Sequence, residues 1–455
     1  PYTTLFRSIV CAPRPARSAR LGCPRQVLLL PAPPAMQNDT PPSAPTATGQ
    51  DADLPPLHRP LHEWRRQLRR EQWERASWRT KLWWMRQWLR RVPTVVRDAR
   101  RAVQQHGRHV ADAHGVSQPR QFVQQCYFAL RYDTSPLSYY TYRVYRPERW
   151  ARVDTLPYDS WTSHGRMIRV LNLRTGASPN ERAALDDKRQ FSARCAQHNL
   201  PTPSVLASFD DGTACGPCAS PADLPPADLF AKPRDGKQGR GAAKYVYAGQ
   251  GCWTNADTTY DAAGLMNRLK RRSEGEPLLL QRALRNASSW RPFTSGSLAT
   301  VRLMTGRLPG GSILPFGAKL RMPTGNAIVD NTSAGGIASQ INLQSGLLGP
   351  AVSIKPVNGR FTHELHPDTE HPLPGTALPH WSNVVDLGCR AHDAFDIVTI
   401  AWDIALTPDG LTLLEGNCSW SAHPLLVPEI RLRRYARVYD AWMRTCPPTR
   451  CSANR

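Results

Sequence analysis

Between Leu61 and about Gln105 the apolar positions of this chain recur at helical spacing. At about 100° per residue, Leu61, Trp64, Leu68, Trp78, Leu82, Met85 and Leu89 align in one stripe, while Trp73, Trp84 and Trp88 fall outside it. Pro93 lacks an amide hydrogen and its ring crowds the preceding turn, so it is expected to end or kink this helix; a second helix is expected from about Thr94 to Gly107. The aromatic stretch from Gln118 to about Asp154 is mixed in period and reads as helix, loop and extended segment. In 178–203, Ser178 with Glu181 three residues on makes a capping box, Phe191 and Cys195 share a face, Asn199 can stop the helix and Pro201 prevents its continuation, with Lys188 in the middle. Beyond it come short apolar runs of strand type: LFAKP at 229–233, PLLLQRAL at 277–284, SLATVRLMTG at 297–306, two strands within 315–342, and TIAWDIALTPDGLTLLEGNCSW at 399–420. The last is a hairpin whose turn, Pro408-Asp409-Gly410, supplies a glycine able to take φ > 0.

Chemistry sits at a few positions on these elements. On the hairpin, Glu415 and Asn417 are two apart and share a face, and Asp403 can face them across the pair. Two carboxylates and an amide carbonyl suit Mg²⁺, which keeps waters and shares its coordination with substrate phosphates; a solvated polar strand face is the plain alternative. The run at 229–243 delivers Lys232 from a strand into a loop carrying Gly236, Lys237, Gly239 and Gly241. Backbone N–H groups of such a loop can approach phosphate oxygens while a strand lysine holds a point charge, although glycine clusters are also ordinary turns. Arg302 is the single charge of its strand, and 315–342 carries Lys319, Arg321, Asp330 and Asn331. Charges inside apolar strands are costly unless paired, which makes them candidates for ligand contact.

Composition changes this picture in three ways. The formal charge of +23 favours an anionic partner. Residues 1–8, PYTTLFRS, read like a translated sequencing adapter and the first Met is Met36, so 1–35 is expected to lie outside the native chain; a secretory leader at 20–35 is the competing reading. Removing 1–35 takes away five Arg and no acids and leaves +18, still strongly basic. The 11 Cys are odd in number and irregular in spacing, which favours a reducing cytoplasm over a disulfide framework, and Cys215-Gly-Pro-Cys218 lies in a loop with no second CxxC. The histidines at 363, 366 and 371 are spaced like a loop rather than a metal site. No run approaches the length of a transmembrane helix. Segment 36–57, with almost nothing to bury, is expected to be a disordered leader.

Helix Lys, strand Lys, Gly-rich loop, linker strand, Arg strand, Asn-x-x-x-Gly-Gly, then Asp and Glu-x-Asn on a hairpin is an order that resembles an ATP-grasp domain. More narrowly, TVRLMT, VDNTSAGGI, HPDT and WDIALTPDGLTLLEGNCSW resemble the sugar-transfer associated ATP-grasp family, over roughly 115–445. The resemblance implies an α+β fold in which two subdomains sandwich ATP, preceded by a basic, Trp-rich helical segment. The expected organisation is a leader at 1–60, the Trp-rich helices at 61–113, a substrate-side region at 114–184, the ATP-grasp domain at 185–425 and a C-terminal helix and tail at 426–455. By motif match, Lys188 and Lys232 resemble the nucleotide-phosphate lysines, and Gly236, Lys237, Gly239 and Gly241 the flexible loop over the phosphates. Gln281 and the backbone to Leu284 resemble the adenine and ribose hinge, Asn331 joins the nucleotide-binding set, and Asp403, Glu415 and Asn417 resemble the Mg²⁺ ligands. Arg302, Arg321 and Lys319 would be the catalytic cations, the arginines orienting an acceptor carboxylate or acyl phosphate by bidentate hydrogen bonds.

The resemblance thus implies an enzyme that uses ATP and Mg²⁺ to ligate a carboxylate-bearing acceptor to an amine or other nucleophile, sugar-linked in the first reading. A kinase or a ligase acting on peptides or small metabolites is the second reading, and a non-enzymatic basic binding module the third. For 61–105 two readings stand: a docking face on the rest of the protein, which the regular stripe favours, and a helix lying at an anionic membrane, which the stray Trp beside Arg favour. The expected location is the cytoplasm, with the inner membrane face as the place where 61–105 would attach; nucleic acid is not expected as a partner.

Overall fold

A computed structural model describes residues 61–132, 134–141, 143–151, 153, 179–235, 241–294, 296–325, 336–357, 360–418 and 429–445, all within one compact unit, Leu54–Arg455. Ser178, Gly236, Lys237, Gly239, Asp330 and Asn331 lie outside the described residues.

The N-terminal part is helical: α1 (Leu61–Arg75), α2 (Trp78–His114), α3 (Gln118–Tyr132), then two short helices, α4 (Ser138–Thr141) and α5 (Pro147–Ala151). Two expectations are corrected here. The break falls at Ala76-Ser77, where the Ser77 hydroxyl accepts the Thr80 N–H at 3.3 Å and caps α2, and Pro93 lies inside a continuous helix. Burial of Val95, Ala99, Ala102 and Val110 anchors the part of α2 beyond the proline and outweighs the lost hydrogen bond. Because the break interrupts the stripe, Trp64 is buried and donates its Nε1–H to Asp440 at 3.1 Å, whereas Trp78, Leu82, Met85 and Leu89 stand exposed. In place of the extended segment expected before Asp154, the described residues form two short helices joined by turns, with Tyr139 and Tyr140 turned back to donate their hydroxyls to Gln124 and Gln121 of α3, both at 2.7 Å.

The single helix expected over 178–199 is two: α6 (Pro179–Asp186) and α7 (Lys188–Gln197). Asp187 is the reason. Its carboxylate accepts the N–H groups of Arg189 and Gln190 at 2.8 and 3.2 Å, an N-cap that starts a second helix and puts Lys188 at its first position rather than its middle. Glu181 is an ion-pair partner of Arg194 at 2.7 Å. Asn199 does adopt the left-handed conformation, φ 52°.

Two antiparallel seven-stranded sheets follow. The first is ordered β2 (Thr213–Cys215), β1 (Val205–Asp210), β7 (Leu278–Arg282), β3 (Leu229–Pro233), β4 (Ala243–Gly249), β5 (Cys252–Asn255), β6 (Thr258–Asp261), with α8 (Ala262–Ser273) on one face. The second is ordered β12 (Arg360–His363), β11 (Leu348–Val357), β10 (Ile337–Ile341), β9 (Ile313–Met322), β8 (Thr300–Arg307), β13 (Thr399–Thr407), β14 (Gly410–Asn417). The hairpin β13–β14 forms as expected, with Gly410 at φ 110°.

One face of the second sheet packs Val301, Leu303, Ala318, Leu320 and Trp402 against α6, α7 and α9 (Trp381–Asp393). On its other face, Met304, Phe316 and Ala401 join α10 (Glu429–Thr445) and the N-terminal helices in a separate core. Burial on both sides is why β13 reads as a nearly continuous apolar run interrupted by one charge, Asp403.

Candidate active site

Strand pairing places Gln340, Lys319, Arg302, Asp403 and Glu415 directly opposite one another across β10, β9, β8, β13 and β14. Directly paired residues share a face, so these five form one polar row across the sheet. Arg321, Thr300 and Asn417 flank it, each two residues along its strand from a member of the row.

Asp403 is the hub. Arg302 grips it with both arms of its guanidinium, Nε to Oδ1 at 2.7 Å and Nη2 to Oδ2 at 2.6 Å, and Arg321 adds a contact to Oδ2 at 3.0 Å. Arg321 also donates through Nε and Nη2 to the Thr300 hydroxyl at 3.1 and 2.9 Å. Burial by itself would push the Asp403 carboxyl up, but the two guanidiniums more than offset it and hold the group well below the usual carboxylate range. Glu415 behaves oppositely: burial and then the neighbouring Asp403 charge push its carboxyl up, with Arg302 about 4.0 Å away. Asn417 donates its amide to Glu415 Oε1 at 3.1 Å.

Across from this row stands Lys232. In β3, Phe230 and Lys232 alternate with buried Ala231 and pair with Gln281 and Leu279 of β7, so these four lie on the face of the first sheet that points away from α8. Burial pushes the Lys232 ammonium down to about 8, while the Glu415 carboxylate acts to raise it and Lys188 to lower it. Lys232 is therefore close enough to feel the charge of both Glu415 and Lys188, although the three come from two sheets and a helix. Lys188 is held by its Nζ on the Arg234 carbonyl at 3.3 Å, and the Arg234 side chain pairs with Asp210 at 3.1 Å and with Asp187 at 3.4 Å.

The remaining residues that the resemblance assigns to a nucleotide are placed as follows. Gln281 is buried and donates to the Pro203 carbonyl at 2.9 Å; Leu284, half-buried, follows the end of β7. Gly241 has φ 72°, and a Cβ there would meet Pro233 at 3.0 Å and Glu276 at 3.3 Å, so the exit of the Gly-rich loop requires glycine. Of the arginine forks assigned from sequence to a substrate carboxylate, that of Arg302 is occupied by Asp403, and Arg321 is shared between Thr300 and Asp403. His366 of the HPDT loop is structural in its described contacts: its Nδ1 accepts the N–H groups of Asp368 and Thr369, both at 3.3 Å, and the loop binds Gly325 through Asp368 at 2.8 Å.

Sequence reasoning missed Thr300, Gln340 and the Asp187–Arg234 pair. Thr300 had a signal, since it precedes Arg302 by two on one strand and must share its face. The others depend on register and on a helix break that no spacing displays.

The donor set fits a divalent cation with a polyphosphate. Burial, the neighbouring Asp403 charge and a hydrogen bond with Asp403 favour protonation of Glu415, and a bound cation would counter the first two; Asn417 adds an amide. Lys319, Arg302 and Arg321 share one sheet face with two carboxylates, and Lys232 feels the charge of Glu415, so cations outnumber carboxylates here as an anionic ligand would require.

A family model described as sugar-transfer associated ATP-grasp matches residues 174–433. No curated protein matches the chain by sequence. Among solved structures the chain is similar to D-alanyl-alanine synthetase A from Vibrio cholerae, at 12% identity over 64% of this chain and 74% of that one, TM-score 0.37. It is similar also to N5-carboxyaminoimidazole synthase from Aspergillus clavatus, at 9% identity over 54% and 48%, TM-score 0.28. A third is the ADP complex of an N5-carboxyaminoimidazole ribonucleotide synthetase, at 13% identity over 53% and 46%, TM-score 0.30. The chain spans about half the length of these last two proteins.

Proposed function

The chain belongs to the sugar-transfer associated ATP-grasp family, and from that premise we propose that it is an ATP- and Mg²⁺-dependent ligase acting on a cell-surface sugar or its precursor. Membership makes the pair of sheets an ATP-grasp fold, and the enzyme is one of ATP-grasp type. The observation that carries the finer reading is the in-register row Lys319, Arg302, Asp403, Glu415 with Lys232 within electrostatic reach of its acidic end.

ATP would supply the phosphoryl group that converts an acceptor carboxylate to an acyl phosphate, releasing ADP, before a nucleophile displaces phosphate; Mg²⁺ would neutralise phosphate charge. The chain's own residues do the rest. Glu415 and Asn417, with Asp403, offer the oxygens for the ion. Lys232 and Lys188 hold point charges on the opposite wall, where burial strengthens each interaction. Arg302 and Arg321 keep Asp403 ionised and fixed, and their planar forks match a carboxylate or acyl phosphate that comes to share them.

Titration of the full chain with ADP should show binding that requires Mg²⁺, and Lys232→Met should weaken it at least about tenfold, roughly 1.4 kcal/mol. No nucleotide binding by the wild type would remove the reading. With ATP, Mg²⁺ and a panel of sugar acids and amino acids, hydroxylamine should intercept the acyl phosphate as a hydroxamate. Phosphoryl transfer without hydroxamate would favour a kinase instead.

A further inference from the structure

Among the described residues, exposed large apolar side chains concentrate between Trp73 and Val92. Trp78 is 67% exposed, Trp83 55%, Trp88 63% and Leu89 64%. At about 100° per residue, Trp78, Leu82, Met85, Leu89 and Val92 of α2 fall within an arc of about 80°, with Trp88 about 40° beyond one edge. That arc does not face the protein. The side of α2 turned inward carries Val95, Ala99 and Ala102 further along, and Arg91, which donates to the carbonyls of Ala129 at 2.9 Å and Thr134 at 3.4 Å.

Charge surrounds the arc in one sign only. From Trp78 to Val92, the span of the arc, the chain has five cations, Arg79, Lys81, Arg86, Arg90 and Arg91, and no acid. Arg79, Arg86 and Arg90 follow one edge of the arc and Lys81 the other. The segment is also braced: Trp73 of α1 stacks on Trp84 of α2 at 6.0 Å, Lys81 lies over the Trp73 ring at 5.8 Å, and Trp64 fixes α1 to Asp440 of α10. An apolar arc with cations along its rims, on a helix held off the body by its far half, is an orphan surface on a rigid mount.

We propose that residues 78–92 lie in the surface of an anionic membrane, the apolar arc entering the boundary between headgroups and acyl chains and the rim cations contacting lipid phosphates. The chemistry selects this occupant over two others. A second copy of the chain would set this cluster of positive charges against an identical one. A nucleic acid would want the cations at the centre and would leave Leu82, Met85 and Leu89 in water, whereas a lipid surface covers them while placing Trp at headgroup depth. The helix lies on the membrane and does not cross it: no described helix is long and apolar enough to span one.

Co-sedimentation of the full chain with phosphatidylcholine vesicles, with and without equimolar phosphatidylglycerol, tests this without reference to ATP. Binding is expected to the anionic vesicles only, and to be lost at about 1 M salt, where screening acts within about 3 Å. The double variant Trp88→Ser with Leu89→Ser should weaken binding at least tenfold. Replacing Arg79, Arg86 and Arg90 by Gln should weaken it by about fivefold for each charge removed. Both variants change exposed side chains, so unchanged thermal unfolding is expected to accompany the loss. No sedimentation of the wild type at low salt overturns the proposal, as does equal sedimentation of wild type and both variants. Dimerisation in light scattering without lipid, dissolved by the Trp88/Leu89 variant, would assign the surface to a second copy and overturn it as well.

Discussion

The charged row of the second sheet and the apolar arc of α2 both set side chains where solvation disfavours them, and they resolve the conflict differently. Asp403, 2% exposed, sits in a strand buried at every position, and the surrounding strands supply its partners: two guanidiniums satisfy both carboxylate oxygens. Trp78 and Leu89 are exposed, and no described residue covers them. The misplaced charges are compensated inside the fold, where register fixes every contact. The misplaced apolar groups find no compensation among the described residues. Removing a partner from the first region should therefore be costly, and removing a member of the second nearly free.

The largest effect is expected at the hub. Asp403→Ala leaves Arg302 and Arg321 buried without their shared partner and should destabilise the ligand-free protein by roughly 3–5 kcal/mol, read from denaturant midpoints. Replacing all three by apolar residues of similar volume should cost far less, because a buried ion cluster seldom stabilises against a well-packed apolar one. If the single and triple variants lose equal stability, the row is not the compensated cluster described here.

A second expectation concerns the other face of the same strands. Trp402 Nε1–H donates to the Thr305 hydroxyl at 2.9 Å, that hydroxyl meets His392 Nδ1 at 2.7 Å, and His392 Nε2 meets the Ile397 carbonyl at 2.7 Å. Every partner is satisfied by a neutral ring, and burial pushes the His392 imidazole down to about 3. A histidine depressed in the folded state binds its proton only on unfolding, so stability falls as pH drops from about 6.5 toward about 3, by roughly 1.4 kcal/mol per unit. Between pH 7 and pH 5 the His392 contribution should be about 2 kcal/mol, a window that lies above the titration of the depressed Asp403. His392→Gln should flatten the slope by that amount in denaturant titrations at the two pH values. An unchanged slope would show that His392 is not held neutral by this chain of contacts.

The sequence displayed the second sheet better than the helices before it. Isolated charges in apolar strands drew attention to Arg302, Lys319 and Arg321, since a buried charge is rare enough to signal a purpose, and the hairpin with its period of two placed Glu415 with Asn417 and Asp403 across from them. Which charges meet was not legible: the pairing of Asp403 with Arg302 rather than a ligand follows from a register set by residues far apart in the chain. The helices misled for a local reason. A period of 3.6 runs through Ala76-Ser77 as if nothing happened there, while the Ser77 cap interrupts it, and the stripe that looked continuous divides into one buried Trp and several exposed side chains. Asp187 did the same to the helix that carries Lys188. In both cases a single capping side chain, worth about 1 kcal/mol, redirected a segment that periodicity alone had joined.

The smallest effect is the sharpest test of the contrast. If the arc of α2 contributes nothing to the fold, Trp88→Ser and Leu89→Ser should each change the stability of the lipid-free protein by less than about 0.5 kcal/mol, as for other exposed sites away from packing and caps. Trp64 provides the internal control, because it belongs to the same stripe in the sequence yet is buried and hydrogen-bonded to Asp440 at 3.1 Å. Trp64→Ser should cost roughly 3 kcal/mol or more, from lost apolar burial and from leaving the Asp440 carboxylate without its indole donor. Thermal unfolding of the three variants measures the difference directly. Comparable losses at Trp88 and Trp64 would mean that the arc is covered by the chain itself in solution, and the division of the stripe into a structural end and an outward-facing end would fail.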